Sequence, residues 1–280
     1  MQSKYIQTNG VRLHYLEAGR GKPIIVMHGL TANANAFDGL ITHGFADLGH
    51  IYSVDLRGRG KSEQPPADYS MKAHSKDIIG MMDLLGLEKV ILVGHSFGAL
   101  MSWYLYSLIP HRIEKIVFID AAARLHPDTR ELLQPTMSRL GKIYTSYKEY
   151  MNWVREAPFL ADAWDEDMQS YFDADIEFLA DGQVTSRSKP VHIIEAVNGV
   201  FEENWEPLIR NTSIPSLLIN ATGAYGDEHS PPLLPKELAK ETVAMMPNCQ
   251  YMEVEGNHQT MMYGKGAKQI VQAIKDFLSK

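Results

Sequence analysis

The sequence predicts an α/β protein: a mostly parallel central sheet flanked by helices, with a helical lid inserted into it. Short apolar runs (Pro23 to Met27, Ile51 to Val54, Lys89 to Val93, Ile113 to Ile119) alternate with helical stretches. That is the rhythm of parallel strands covered on both faces. It stops between about Arg124 and Arg210, where the pattern is helical and rich in aromatics, and resumes at Ser216. At 280 residues the chain can bury a sizeable core.

The chain opens with alternating runs, Ser3 to Thr8 and Val11 to Glu17, joined by Asn9-Gly10. Both linking residues tolerate the positive φ of a tight hairpin turn. Pro23 to Met27 is a buried strand broken by His28-Gly29, and Ile51 to Val54 is a second that ends at Asp55. Met71, Ile78, Met82 and Leu85 share one face of a helix that Gly86 can cap. Lys89 to Val93 reads as a strand, Phe97 to Ile109 as an apolar helix and Ile113 to Ile119 as a strand. Beyond the helical block come a strand at Ser216 to Asn220, a helix near Lys236 to Met246 and a strand at Gln250 to Val254. A last helix places Ile270, Ile274, Phe277 and Leu278 on one face. The expected division is a sheet domain, residues 1–122 and 211–280, and a lid, residues 123–210, with no strand expected in the lid.

Composition narrows the partners. Lys and Arg total 27 against 34 for Asp and Glu, a net charge of −7, which disfavours a phosphate-tracking surface and so nucleic acid. The single cysteine, Cys249, can form no internal disulfide and no thiolate zinc site. The opening residues carry no apolar signal core, and no run approaches the roughly 18 apolar residues of a membrane helix. A cytoplasmic protein without membrane attachment is expected, in which the sequons at Asn211 and Asn220 carry no weight. Monomer and homodimer both remain open.

Gly94-His95-Ser96-Phe97-Gly98 stands directly after one apolar strand and directly before a helix. A G-x-S-x-G in that position is a nucleophile elbow, whose glycines allow a sharp turn that leaves the serine hydroxyl exposed. Serine needs a base to take its proton, and His258 follows the last strand, where a loop can deliver an imidazole. An oxyanion hole requires two backbone N–H groups. Phe97, after the serine, supplies one, and Leu30, in the turn His28-Gly29-Leu30, is the candidate for the other.

Two other patterns are set aside. Arg59-Gly60-Lys61-Ser62 ends like a phosphate-binding loop, but the pattern needs glycine where this chain has Asp55, so residues 55–62 are read as a loop bracing the sheet. Asp165-Glu166-Asp167 and Asp173 with Asp175 fit no calcium-loop spacing and are read as a solvated lid face. No metal or organic cofactor is expected.

The stretches MHGL at 27–30, DLRGRGKS at 55–62, GHSFGA at 94–99 and GNH at 256–258 resemble the α/β-hydrolase superfamily, in its serine hydrolase, esterase-like branch. The resemblance covers nearly the whole chain and implies that the aromatic helical block is that family's cap domain. It also implies a triad acid between Ser96 and His258. Most members place it after the strand that here is Ser216 to Asn220. Their usual spacing falls on Ala224, with Asp227 and Glu228 just beyond. Other branches use an acid where this chain has Asp120, at the end of the strand after the elbow helix. Asp120 is preferred, because a strand end is held by the sheet; Asp227 is the alternative.

The activity so implied is that of a serine hydrolase acting on a small, fairly apolar carboxylic ester, lactone or related acyl compound. The resemblance leaves open a carbon–carbon bond hydrolase or an amidase with the same triad, and a non-catalytic small-ligand receptor on the same scaffold. Ser96 argues against the dehalogenases and epoxide hydrolases of the superfamily, which use aspartate at the elbow. Tyr144, Tyr147, Tyr150 and Trp153 recur at three-residue spacing, which suits a packed helix face or a pocket wall. Trp153 is the pocket candidate among them, and Arg124 can meet a substrate carboxylate near the mouth of the site.

Overall fold

A computed structural model describes residues 1–124, 126–160 and 163–280. Among the described residues eleven strands run β1 (Gln2–Thr8), β2 (Val11–Gly19), β3 (Pro23–Met27), β4 (His50–Val54), β5 (Val90–His95), β6 (Ile113–Ile119), β7 (Ile143–Tyr144), β8 (Ile176–Phe178), β9 (Val184–Ser186), β10 (Ser216–Ala221) and β11 (Cys249–Val254). The helices are α1 (Asp38–Thr42), α2 (Met71–Leu84), α3 (Phe97–Leu108), α4 (Thr129–Leu132), α5 (Gln134–Met137), α6 (Tyr147–Arg155), α7 (Met168–Asp175), α8 (Pro190–Glu202), α9 (Trp205–Arg210), α10 (Lys236–Ala244) and α11 (Gly264–Leu278).

Eight strands form one sheet in the order β1-β2-β4-β3-β5-β6-β10-β11. The pairs β1/β2 and β2/β4 are antiparallel and the others parallel. Asn9 and Gly10 take φ of 46° and 75°, so the opening hairpin turns as the Asn-Gly pair dictates. Alternate residues of the central strands feed two cores. Ile24, Val26, Ile91 and Val93 join the apolar cluster that includes α11, while Ile25, Met27, Val90 and Leu92 join the one that includes α2 and α3. Burial on both sides explains why these strands read as unbroken apolar runs rather than as alternating ones.

Between β6 and β10 the chain is not wholly helical. Strands β7, β9 and β8 form a small antiparallel sheet, contrary to the strandless lid expected from sequence. Strands of two or three residues are too short to establish an alternation, so no periodicity announces them. The four aromatics form packing: Tyr144 and Tyr150 are fully buried, with Trp153 against Tyr144 at 6.0 Å between ring centroids.

Neighbouring β4 and β5 both flank β3, so the strand order reverses at β3. In open α/β sheets the crevice outside the carboxyl ends at such a point is where ligands bind. Residues 28–32 leave β3 there and Ser96 leaves β5 there.

Candidate active site

Strand β5 ends at His95, and α3 begins at Phe97, leaving Ser96 alone to make the turn. Its backbone sits at φ 53°, ψ −114°, a conformation that side chains other than glycine rarely adopt. Tight packing holds it there. A Cβ on Gly98 would lie 2.0 Å from the Met27 carbonyl oxygen, and one on Gly94 would lie 2.2 Å from that of Gly98. Both glycines are therefore sterically required, and the Ser96 N–H donates to the Ile119 carbonyl at 2.8 Å.

Asp120 is the second non-glycine residue of the site with positive φ, at 54°. It follows β6, and its carboxylate is buried and fully partnered. Oδ1 accepts from the Asn220 side-chain amide and from the Ala221 N–H, both at 2.9 Å. Oδ2 lies 2.6 Å from His258 Nδ1. Asn220 is itself anchored, since its Oδ1 accepts from the Tyr251 hydroxyl at 3.0 Å. The ends of β6 and β10 thus hold this carboxylate in place.

With Nδ1–H donated to Asp120, the lone pair of His258 falls on Nε2, the nitrogen a general base uses. His258, Ser96 and Asp120 all line one cavity. Among the described residues no hydrogen bond joins Ser96 Oγ to the ring; in ligand-free sites that contact commonly tightens only when substrate binds. The histidine loop is pinned by Asn257, whose amide donates to the Ala224 carbonyl at 3.0 Å and to the Phe159 carbonyl at 2.9 Å. His95 packs beside it, with ring centroids 4.7 Å apart, and donates Nε2–H to the His258 carbonyl at 3.0 Å. Burial holds the His95 imidazole well below its usual pKa, so it stays neutral and does not compete as a base.

The turn after β3 presents Leu30 to the same cavity. His28 is fully buried, and desolvation lowers its pKa to about 4. The neutral ring accepts the Leu56 N–H on Nε2 at 3.1 Å and donates Nδ1–H to the Gly29 carbonyl at 2.7 Å. No cis peptide bond occurs among the described residues, so the Leu30 N–H points opposite to the Gly29 carbonyl and away from His28. Arg59 holds the next carbonyl, Nε to Leu30 O at 3.0 Å, its guanidinium over the rings of Phe97 and Tyr69 at 5.6 and 5.8 Å.

The cavity encloses about 120 Å³. Leu100, Leu133, Met137, Val200 and Leu234 form much of its wall, and the hydroxyl-bearing residues Thr31, Thr136 and Tyr225 also line it. Tyr225 donates to or accepts from Thr136 at 2.8 Å and meets the His258 ring edge-on, 5.7 Å between centroids. Arg124 lies on the cavity lining with its side chain 65% exposed, its nearest carboxylate being Glu241 at 3.8 Å.

Three sequence-based expectations need correction. Trp153 is not a cavity residue; it packs on α6 beside Tyr144 and Lys142. Asp227, the alternative acid, is solvent-exposed and accepts from the His229 N–H and the Ser230 hydroxyl of its own loop, at 3.0 and 2.9 Å, and Glu228 is likewise exposed. Asp175 does not belong to a solvated face: it is 2% exposed and bonded to Arg139 Nε at 3.0 Å. Residues 55–62 brace the sheet as expected, with buried Asp55 accepting from the Ala34 and Lys61 N–H groups and from His14. Arg139 and Tyr225 were not singled out from sequence, and Arg59 entered there only within the stretch 55–62 and not as a holder of the turn after β3. Nothing local marks these roles, since Leu30, Asp175 and Thr136, the partners of Arg59, Arg139 and Tyr225 at the site, lie 29, 36 and 89 residues away along the chain.

No group of three or more His, Cys, Asp or Glu side chains among the described residues is placed to hold a metal ion, and none of their helices is long and apolar enough to cross a membrane.

Residues 22–249 match the family described as alpha/beta hydrolase fold, and the chain belongs to it. Among curated relatives, epoxide hydrolase 2 of Siraitia grosvenorii is 32% identical over 129 residues, covering 45% of this chain and 40% of that one. The 2-(acetamidomethylene)succinate hydrolase of Mesorhizobium japonicum is 27% identical over 146 residues, 52% of each. The chain therefore matches about half or less of the length of these relatives. A crystal structure of E-2-(acetamidomethylene)succinate hydrolase superposes with a TM-score of 0.85 at 21% identity, covering 100% of this chain and 99% of the other, which speaks to the fold alone.

Proposed function

We propose that this protein is a serine hydrolase of small, fairly apolar acyl compounds, carboxylic esters or lactones first among them, with residues 123–210 as a lid over the site. The observation that carries this reading is the 2.6 Å contact between His258 Nδ1 and buried Asp120, made at the edge of a cavity that Ser96 also lines.

In the proposed mechanism Ser96 Oγ attacks the acyl carbon while its proton passes to His258 Nε2. Asp120 fixes the tautomer and stabilises the imidazolium that forms. The carbonyl oxygen becomes an oxyanion facing the N–H groups of Phe97 and Leu30; removing one such donor costs about 3 to 4 kcal/mol of barrier lowering in a related site. His258 returns the proton to the leaving group. Water, activated by the same imidazole, then attacks the acyl-enzyme and frees the acid. No step calls for a metal or an organic cofactor.

The largely apolar wall and the small enclosed volume favour a short uncharged acyl group. Arg124, at the wall yet mostly in solvent, suits a leaving group or tail with a carboxylate. The epoxide hydrolase relatives do not move the proposal, because a serine stands at this elbow. A panel of short esters, lactones, amides and diketones, compared for the wild type and Ser96→Ala, tests it. Turnover of at least one acyl compound that Ser96→Ala loses by several orders of magnitude is expected. Retention of more than a tenth of the rate in a folded Ser96→Ala protein contradicts it.

A further inference from the structure

The oxyanion loop is held by donors from three different places. The Gly29 carbonyl accepts from His28 Nδ1 at 2.7 Å and from the Ala32 N–H at 3.1 Å. The Leu30 carbonyl accepts from Arg59 at 3.0 Å. The Thr31 carbonyl accepts from Arg139 Nη2 at 2.6 Å, and Arg139 Nη1 reaches Thr31 Oγ1 at 3.3 Å. His28 and Arg59 belong to the sheet domain, but Arg139 comes from the segment between β6 and β10, just after α5.

Arg139 is 1% exposed and does not hang on the loop alone. Its Nε and Nη2 meet the Asp175 carboxylate at 3.0 and 3.3 Å. Asp175 in turn accepts from the Tyr150 hydroxyl at 2.8 Å and the Ser186 hydroxyl at 3.1 Å, so α6, α7 and β9 all converge on one ion pair. A guanidinium is a rigid fork that can serve a carboxylate on one side and carbonyls on the other at the same time. An ammonium group has no such fork.

We infer that Arg139 is a positioning residue of the oxyanion hole: by fixing the Thr31 carbonyl it locks the Thr31–Ala32 peptide, whose N–H holds the Gly29 carbonyl, and so keeps the Leu30 N–H of the Gly29–Leu30 peptide turned toward the cavity. The lid then does more than cover the substrate, for it carries the clamp that sets the geometry of a catalytic donor. The inference rests on the serine hydrolase reading. Arg139 is absent from the cavity lining, so its effect must pass through Thr31 and not through contact with substrate.

The test measures binding of two ketones with the same short alkyl chain, one a trifluoromethyl ketone that forms a tetrahedral adduct on serine, the other a methyl ketone that stays planar. Their affinity ratio reads the oxyanion hole, whereas a loss of stability alone moves both together. Arg139→Lys keeps the charge beside Asp175 while removing the fork; a lower melting temperature is expected, and binding is measured well below it, where the variant is folded. It should lower the affinity ratio and kcat by about tenfold or more, with KM within a few-fold, against the roughly 10² to 10³ lost when a donor is removed outright. In Arg139→Ala, ethylguanidinium should restore part of both. An affinity ratio within twofold of wild type in folded Arg139→Lys overturns the inference and leaves the hydrolase reading intact. Should the wild type itself fail to prefer the trifluoromethyl ketone, both are overturned.

Discussion

At the scale of single residues, the strain at Ser96 and Asp120 is informative because both side chains face the same cavity. Residues other than glycine with positive φ persist where the surroundings over-determine them, and here the over-determination delivers a carboxylate to His258 and a hydroxyl to the cavity that His258 lines. Asp120→Asn keeps the shape but offers an amide where His258 needs an acceptor. It should lower kcat by roughly 10³ to 10⁴ with the fold intact, as amide replacement does in another triad. Asp227→Asn, in a solvent-exposed loop, should leave kcat near wild type; steady-state kinetics of the two variants decide between the carboxylates. Ser96 and His258 were legible because strand, turn and helix frame them in the chain. The candidate acid was half legible: chain order admits both Asp120 and Asp227, the strand end favours Asp120, and burial with the Asn220 and Ala221 donors supports that preference.

Elements follow the sequence closely in the eight-stranded sheet and less so between β6 and β10. Strands β3 and β6 fall on the apolar runs that announce them, since burial on both faces keeps β3 wholly apolar and makes β6 so from Ile116 to Ile119, past Glu114 and Lys115. The segment between β6 and β10 hides its strands by their brevity and its ion pair by distance, Arg139 and Asp175 being 36 residues apart. The junction of β5 and α3 is where an element-scale prediction belongs. Gly98→Ala would force a methyl to 2.0 Å from the Met27 carbonyl, which belongs to β3, so backbone must move. The cost should be several kcal/mol, among the large mutational effects, read as a fall in melting temperature together with lost activity. A Gly98→Ala protein as stable as the wild type would show that the elbow does not pack on β3 as described.

For the whole molecule, buried neutral imidazoles tie stability to pH. Desolvation brings His28 down to about 4 and holds His74 and His95 well below the usual value of 6.5. Below pH 6.5 the unfolded chain binds protons that these rings refuse in the folded one. Each ring therefore removes stability as pH falls, by up to about 1.4 kcal/mol per pH unit, until its folded pKa is reached. Asp38 and Asp77, raised by burial, act in the opposite sense nearer the carboxylate range. Urea unfolding at pH 7.5 and 5.5 should thus show lower stability at the acid value, and equal or higher stability there would mean that the imidazoles are not held neutral. None of this was visible in the sequence, which counts 11 histidines without saying which are buried.

The proposed activity joins these scales, for it needs a strained serine, an elbow packed on β3 and a lid that closes the cavity. Its most direct test is mass spectrometry of the protein quenched during reaction with an activated short-chain ester such as p-nitrophenyl acetate. An acyl mass on the peptide containing Ser96, absent from Ser96→Ala and removed on standing in water, is the predicted result. Hydrolysis at an unchanged rate in Ser96→Ala, or an adduct on another residue alone, would contradict it.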